Sequence, residues 1–104
     1  KMQGPITAQS TTVSVPTGVA TTVFDLAGVK QSGMICVYDA GGTRLGSYAL
    51  YANFYDGSNN VPLLTSVSNS TVYGCALTLS GNAIQFAHTY GSTRTVTVSV
   101  IRFP

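Results

Sequence analysis

The segment that most constrains the fold lies near the end of the chain. Thr95, Thr97 and Ser99 alternate with Val96, Val98 and Val100. That is a period of two, with one dry face and one hydroxylated face, and it specifies a half-buried β-strand. Ile101 and Phe103 then put apolar groups on the hydroxylated parity, on either side of Arg102. Either a bulge returns them to the core, or they stay on the outer face and are covered there. The reading taken is that Val96, Val98 and Val100 face the core, while Ile101 and Phe103 lie under a neighbouring chain or the N-terminal segment. A large apolar pair at a strand end otherwise forms the kind of patch that marks an interface.

The rest of the chain is punctuated in the same style. Strands are expected at Thr11–Val15, Val19–Leu26, Met34–Tyr38, Leu45–Tyr55, Val61–Val67, Val72–Leu79 and Ala83–His88. Between them stand Pro16-Thr17-Gly18, Asp39-Ala40-Gly41-Gly42 and Asp56-Gly57-Ser58-Asn59-Asn60, all turn formers. Pro62 argues for a strand beginning or an edge. No window of ten or more residues offers an apolar helical stripe. About eight short strands predict an all-β domain, a small antiparallel β-sandwich with jelly-roll-like connections. At 104 residues the chain has material for one core, so residues 1–104 are read as a single domain. Met stands second, after Lys1, and the chain is expected to be a fragment of a longer protein.

Charge narrows the function. Only 8% of residues are Asp, Glu, Lys or Arg, against about 25% in ordinary domains. Solubility rests on Thr, Ser, Asn, Gln and Gly, a choice that suits pleated surfaces. A net charge of +2 is too small to steer the chain toward nucleic acid. No apolar run reaches the roughly 18 residues of a membrane span, and neither partner is expected. Cys36 and Cys75 sit in apolar strand segments and read as two free core thiols, although one disulfide is possible.

Catalytic chemistry is poorly supplied. His88 is the one histidine, and it reads as a strand-end residue bonded to backbone or facing solvent rather than as the base of a triad with Asp25, Asp39 or Asp56. Asp39 and Asp56 read as turn residues that accept from nearby amides. A lone carboxylate among Asp56, Asn59 and Asn60 makes a weak cage for a hard cation, so neither metal nor cofactor is expected. Tyrosine faces with amide and guanidinium groups nearby suit sugars instead. The candidate glycan contacts are Tyr48, Tyr51, Tyr55, Asn59, Asn60, Tyr73, Tyr90 and Arg94; Ile101 and Phe103 are the candidate oligomer contacts.

Three stretches, Thr21-Thr22-Val23-Phe24-Asp25-Leu26, Gly33-Met34-Ile35-Cys36-Val37-Tyr38 and Val96-Thr97-Val98-Ser99-Val100-Ile101-Arg102-Phe103, together with low charge and abundant Thr and Gly, give the chain its resemblance. It resembles the small C-terminal β-sandwich domains of bacteriophage tail spikes and tail fibres. That resemblance implies a C-terminal fragment, a homotrimer in the virion tail, a non-catalytic domain for trimerisation and host-surface recognition, and bacterial surface polysaccharide as a partner. It also implies reduced cysteines. The competing expectation is a monomeric carbohydrate-binding module of a secreted extracellular enzyme, with a Cys36–Cys75 disulfide.

Overall fold

The computed structural model describes residues 7–104. Eight strands form: β1 (Thr7–Val15), β2 (Thr21–Asp25), β3 (Gln31–Tyr38), β4 (Gly46–Asn53), β5 (Pro62–Asn69), β6 (Ala76–Ser80), β7 (Ala83–Ala87) and β8 (Arg94–Arg102). They make a five-stranded sheet, β1-β8-β3-β4-β5, and a three-stranded sheet, β2-β7-β6. Every pairing is antiparallel. The β1-β8-β3 and β2-β7 pairings are those of a chain doubled back across two sheets, as in a jelly roll; β3-β4-β5 is a meander within one sheet.

Parity places the core between the sheets. Val96, Val98 and Val100 from β8, Ile35 and Val37 from β3, and Ala49 and Tyr51 from β4 face Ile84 and Phe86 of β7 and Leu77 before the β6–β7 turn. Phe86 and Ile84 are fully inaccessible. In β2 the register shifts between Thr22 and Phe24, so Val23 is buried and Phe24 also packs on the core, a two-for-one arrangement that a bulge permits. Pro62 opens β5, the edge strand of its sheet, as its missing N–H requires.

Two expectations need correcting, the strand at residues 72–75 and the core placement of Cys36. The pairing of β8 runs without a break through Arg102 on both sides, so no bulge turns Ile101 inward. Ile101 stays on the outer face, half-buried between Ala8 and Met34. Phe103 is 41% exposed, its N–H bonded to the Ser32 carbonyl at 2.9 Å; residues 1–6, the other expected cover, lie outside the described residues. Residues 72–75 are not strand, because Tyr73 and Gly74 both have φ of 56°, which a strand cannot accommodate. Cys36 is not a core thiol: it pairs with Tyr48 and Ser99 in an outward row, and burial there still pushes its thiol pKa up. Cys75 is buried, and both thiols are free.

Candidate functional site

The strand directions put the loops at two ends. The β1–β2, β3–β4, β5–β6 and β7–β8 connections share one end; the β2–β3 and β4–β5 loops share the other with Thr7 and Phe103. The first end is therefore a tip pointing away from both ends of the described chain.

At this tip three of the candidate glycan contacts meet. The Tyr73 and Tyr90 rings stand edge to face, with centroids 4.9 Å apart. The Arg94 guanidinium lies 5.4 Å from the centre of the Tyr90 ring, within cation–π range. Asp39 fixes the arrangement. Its carboxylate accepts from Arg94 Nε at 2.7 Å, from the Gly41 N–H at 2.7 Å and from the Thr43 hydroxyl. The Arg94 bond, aided by the Gly41 and Thr43 bonds and opposed by desolvation, holds the Asp39 pKa down at about 2. Thr17 Oγ1 donates to the Tyr90 carbonyl at 2.5 Å, and the Thr89 N–H to the Tyr73 carbonyl at 2.7 Å. Tyr73 is the one non-glycine residue with positive φ among the described residues, a conformation that tertiary contacts must maintain. The tip presents a rigid aromatic pair beside a fixed cation. Asp39 was legible as a turn former, and its Gly41 bond has that form; its pairing with Arg94, 55 positions away, carried no sequence signal.

The remaining candidates are dispersed. Tyr51 faces inward opposite Gly33 and Leu64, is 3% exposed and meets Phe24 edge-on at 5.5 Å; it is a core residue, not a sugar platform. Tyr55, Asn59 and Asn60 sit at the other end. Asn60 Oδ1 accepts from the Gly28 N–H at 2.8 Å and from Asn53 Nδ2 at 2.9 Å, so its carbonyl oxygen serves the fold. Asp56 caps its own turn, accepting from the Ser58 and Asn59 amides at 2.9 and 2.7 Å. His88 is 1% exposed. Its Nδ1 accepts from the Tyr90 N–H at 3.1 Å and its Nε2 donates to the Val15 carbonyl at 2.9 Å, which makes it a backbone clamp.

Tyr48 belongs to a second surface, the outer face of the five-stranded sheet. Cross-strand pairing sets Ile101, Met34 and Leu50 in one row, and Ser99, Cys36 and Tyr48 in the next. Leu50 is 45% exposed, Tyr48 41%, and Leu63 on the adjoining strand 49%. No Asp, Glu, Lys or Arg among the described residues points from this face. Among the described residues every charge lies in a loop or at a strand end: Asp25, Lys30, Asp39, Arg44, Asp56, Arg94 and Arg102. The outer face of the three-stranded sheet is equally uncharged but small and polar, with Thr22, Gln85 and Thr78 at its centre. Of the two outer sheet faces, only that of the five-stranded sheet carries large exposed apolar groups.

No protein-family model and no curated protein sequence matches this chain. Two solved structures resemble it. One is the tailspike protein gp49 of Acinetobacter baumannii bacteriophage Fri1, a capsular polysaccharide depolymerase, with a TM-score of 0.61 and 18% identity over 92% of this chain. The other is the tailspike protein of Acinetobacter phage vB_ApiP_P1, with a TM-score of 0.46 and 9% identity over 97% of the chain. The chain spans 17% of the first tailspike and 23% of the second. What the Fri1 protein shares with this chain, at that identity, is the fold.

Proposed function

We propose that this chain is a non-catalytic assembly and recognition domain of a phage tail adhesin, carried in the virion tail, which forms a homotrimer and contacts bacterial surface polysaccharide. The observation that carries the reading is the segregation of charge and apolar area. Among the described residues, one broad sheet face is free of charge and carries Ile101, Met34, Leu50, Tyr48 and Leu63, while the charged side chains are gathered at the two ends. A face of this kind can meet its own copies about a symmetry axis without like-charge repulsion, and apolar side chains gathered on one exposed face are the kind of patch that marks an interaction site. Ile101 thus acts in assembly through the row that it shares with Met34 and Leu50. The tip, with Tyr73, Tyr90 and Arg94, stays outside such an assembly and points away from the chain ends. The fold shared with a capsular polysaccharide depolymerase supports a glycan as its partner.

Light scattering on the eluting chain tests the assembly. A mass of three chains is expected at micromolar concentration, and Leu50→Lys should return it to one chain with the fold intact. A wild-type monomer overturns the trimer, and a mass of two chains replaces it with a face-to-face dimer. A bacterial polysaccharide array tests recognition: binding should be lost in Tyr90→Ala, and an array without a positive overturns the glycan partner.

A further inference from the structure

A recess of about 260 Å³ opens between the sheets at the end opposite the tip. Its origin is a mismatch of strand lengths. β1 and β8 have nine residues each, β2 and β7 only five, so the smaller sheet leaves the last inward positions of the larger one uncovered. Inward positions that are Val96 and Val98 under the small sheet become Gln9, opposite Val100, and Arg102 beyond it. The recess therefore has an apolar floor, Val100 and Phe24, and a polar rim, Gln9, Gln31, Asp25 and Arg102.

The rim is partly set in place. Gln31 Oε1 accepts from the Tyr51 hydroxyl at 3.2 Å, which fixes the amide and leaves its NH₂ to donate. Asp25 Oδ1 accepts from the Ala27 N–H at 2.9 Å, which leaves Oδ2 as an acceptor. Phe24 is held edge-on by Tyr51 and offers a ring to the recess. Such a small apolar floor with convergent donors and acceptors is the usual design of a small-molecule site.

We propose that this recess binds a single neutral pyranose ring, its apolar face against Phe24 and its hydroxyls bonded to Gln9, Gln31, Asp25 and Arg102. The proposal rests on the glycan-recognition reading and adds to it a second, separate subsite. Size limits the ligand to one ring, since the volume lies just under the roughly 300 Å³ at which pockets for larger ligands begin. Charge gives an anionic sugar no advantage. Asp25 and Arg102 bring opposite signs to one rim, so a carboxylated sugar gains from Arg102 what it loses to Asp25.

Amide and side-chain NMR shifts of the whole chain, titrated with the methyl glycosides of glucose, galactose and N-acetylglucosamine and with glucuronate, test it. Saturable shifts at the Gln9 and Gln31 NH₂ groups are expected with at least one neutral glycoside. Affinity should fall at least tenfold in Gln9→Ala and in Arg102→Ala; both side chains are exposed, so the melting temperature should hold. Tighter binding of glucuronate than of any neutral glycoside overturns the neutral-sugar assignment. Shifts confined to Tyr73 and Tyr90 overturn the recess and leave the recognition reading standing. Silence at every residue overturns the recess, while the polysaccharide array decides the wider reading separately.

Discussion

Gly33 sits where β3 is squeezed between β8 and the Tyr51 ring, and replacing it with alanine gives a test of the packing. A Cβ built there falls 2.0 Å from the Ile101 carbonyl oxygen and 2.9 Å from the Tyr51 hydroxyl. Ordinary contact begins near 3.4 Å, so β8 must withdraw by more than an ångström or β3 must twist away. The Tyr51 hydroxyl could swing aside, at the cost of its bond to Gln31; the Ile101 backbone could not. Losing about two ladder bonds at roughly 1 kcal/mol each, with about 1–3 kcal/mol of overpacking, gives a destabilisation of about 3–5 kcal/mol. That is a large share of the roughly 5–15 kcal/mol of a typical domain. Gly91→Ala is the matched control, because nothing lies within 4 Å of its Cβ and its φ is not positive. It should be neutral or stabilise by up to about 1 kcal/mol through the unfolded chain. Urea unfolding of the two variants is the assay. A loss below about 1 kcal/mol for Gly33→Ala, or equal losses for the two, would refute the reasoning.

Asp39→Asn should cost about 1–2 kcal/mol at pH 7, less than the roughly 2 kcal/mol or more that linkage gives for a fall from 3.8 to about 2, because Arg94 is 26% exposed and water screens the pair. The carboxyl pKa is depressed by folding, so its contribution is complete above pH 4 and fades as pH falls toward 2; urea midpoints of the two proteins should converge over that window, and parallel curves would count against the pair. In the proposed trimer Cys36 should react slowly with iodoacetamide and faster in Leu50→Lys; equal rates in both would show that the Cys36 row is not covered. Phe103→Ala should change stability by less than about 1 kcal/mol, since the ring is exposed, whereas removal of residues 101–104 should destabilise the subunit itself, as Ile101 and Phe103 bond to β1 and β3 through the backbone; thermal unfolding separates the two effects.

Much of the fold was legible because β-strands write their faces into parity. β8 declared its inward valines, and all eight strands were signalled by apolar runs and turn residues. Boundaries failed where long-range geometry ruled. Residues 72–75 look like strand by composition, yet Tyr73 is held at positive φ by a loop that packs against Thr89. β1 extends back to Thr7 because β8 offers it a continuous partner, although Thr7 to Ser10 carry little apolar signal. The site was harder to read. Tyr51 and Tyr48 are three residues apart and of one type, but their opposite parity sends one to the core and the other to solvent. Knowing which face was inward at β4 required knowing that β4 pairs with β3. The grouping of Tyr73, Tyr90 and Arg94 depends on the β5–β6 and β7–β8 loops meeting beside the start of β8, and no local pattern encodes that. The recess arises from unequal strand lengths in two sheets, a relation between elements rather than a motif.

The two edges of the five-stranded sheet bear on which surface would serve the proposed assembly. β5 is blunted by Pro62 and by a register shift beside Val67, both devices that discourage edge pairing. β1 has neither proline nor charge along its nine residues, so its bare edge competes with the outer face as a route to association. The side chains favour the face. Edge addition draws on backbone groups and rewards apolar residues on the joining strand, yet Thr7 to Thr12 are exposed and largely hydroxylated. The apolar area lies instead across β8, β3 and β4. Thr11 distinguishes the routes, because it pairs with Val98 on the inward side of β1, away from the outer face. Thr11→Lys places an edge charge without touching the Ile101, Met34 and Leu50 row. The variant should keep the wild-type mass in light scattering while Leu50→Lys loses it. If Thr11→Lys dissociated the assembly and Leu50→Lys did not, the β1 edge would be the interface and the face assignment would fall.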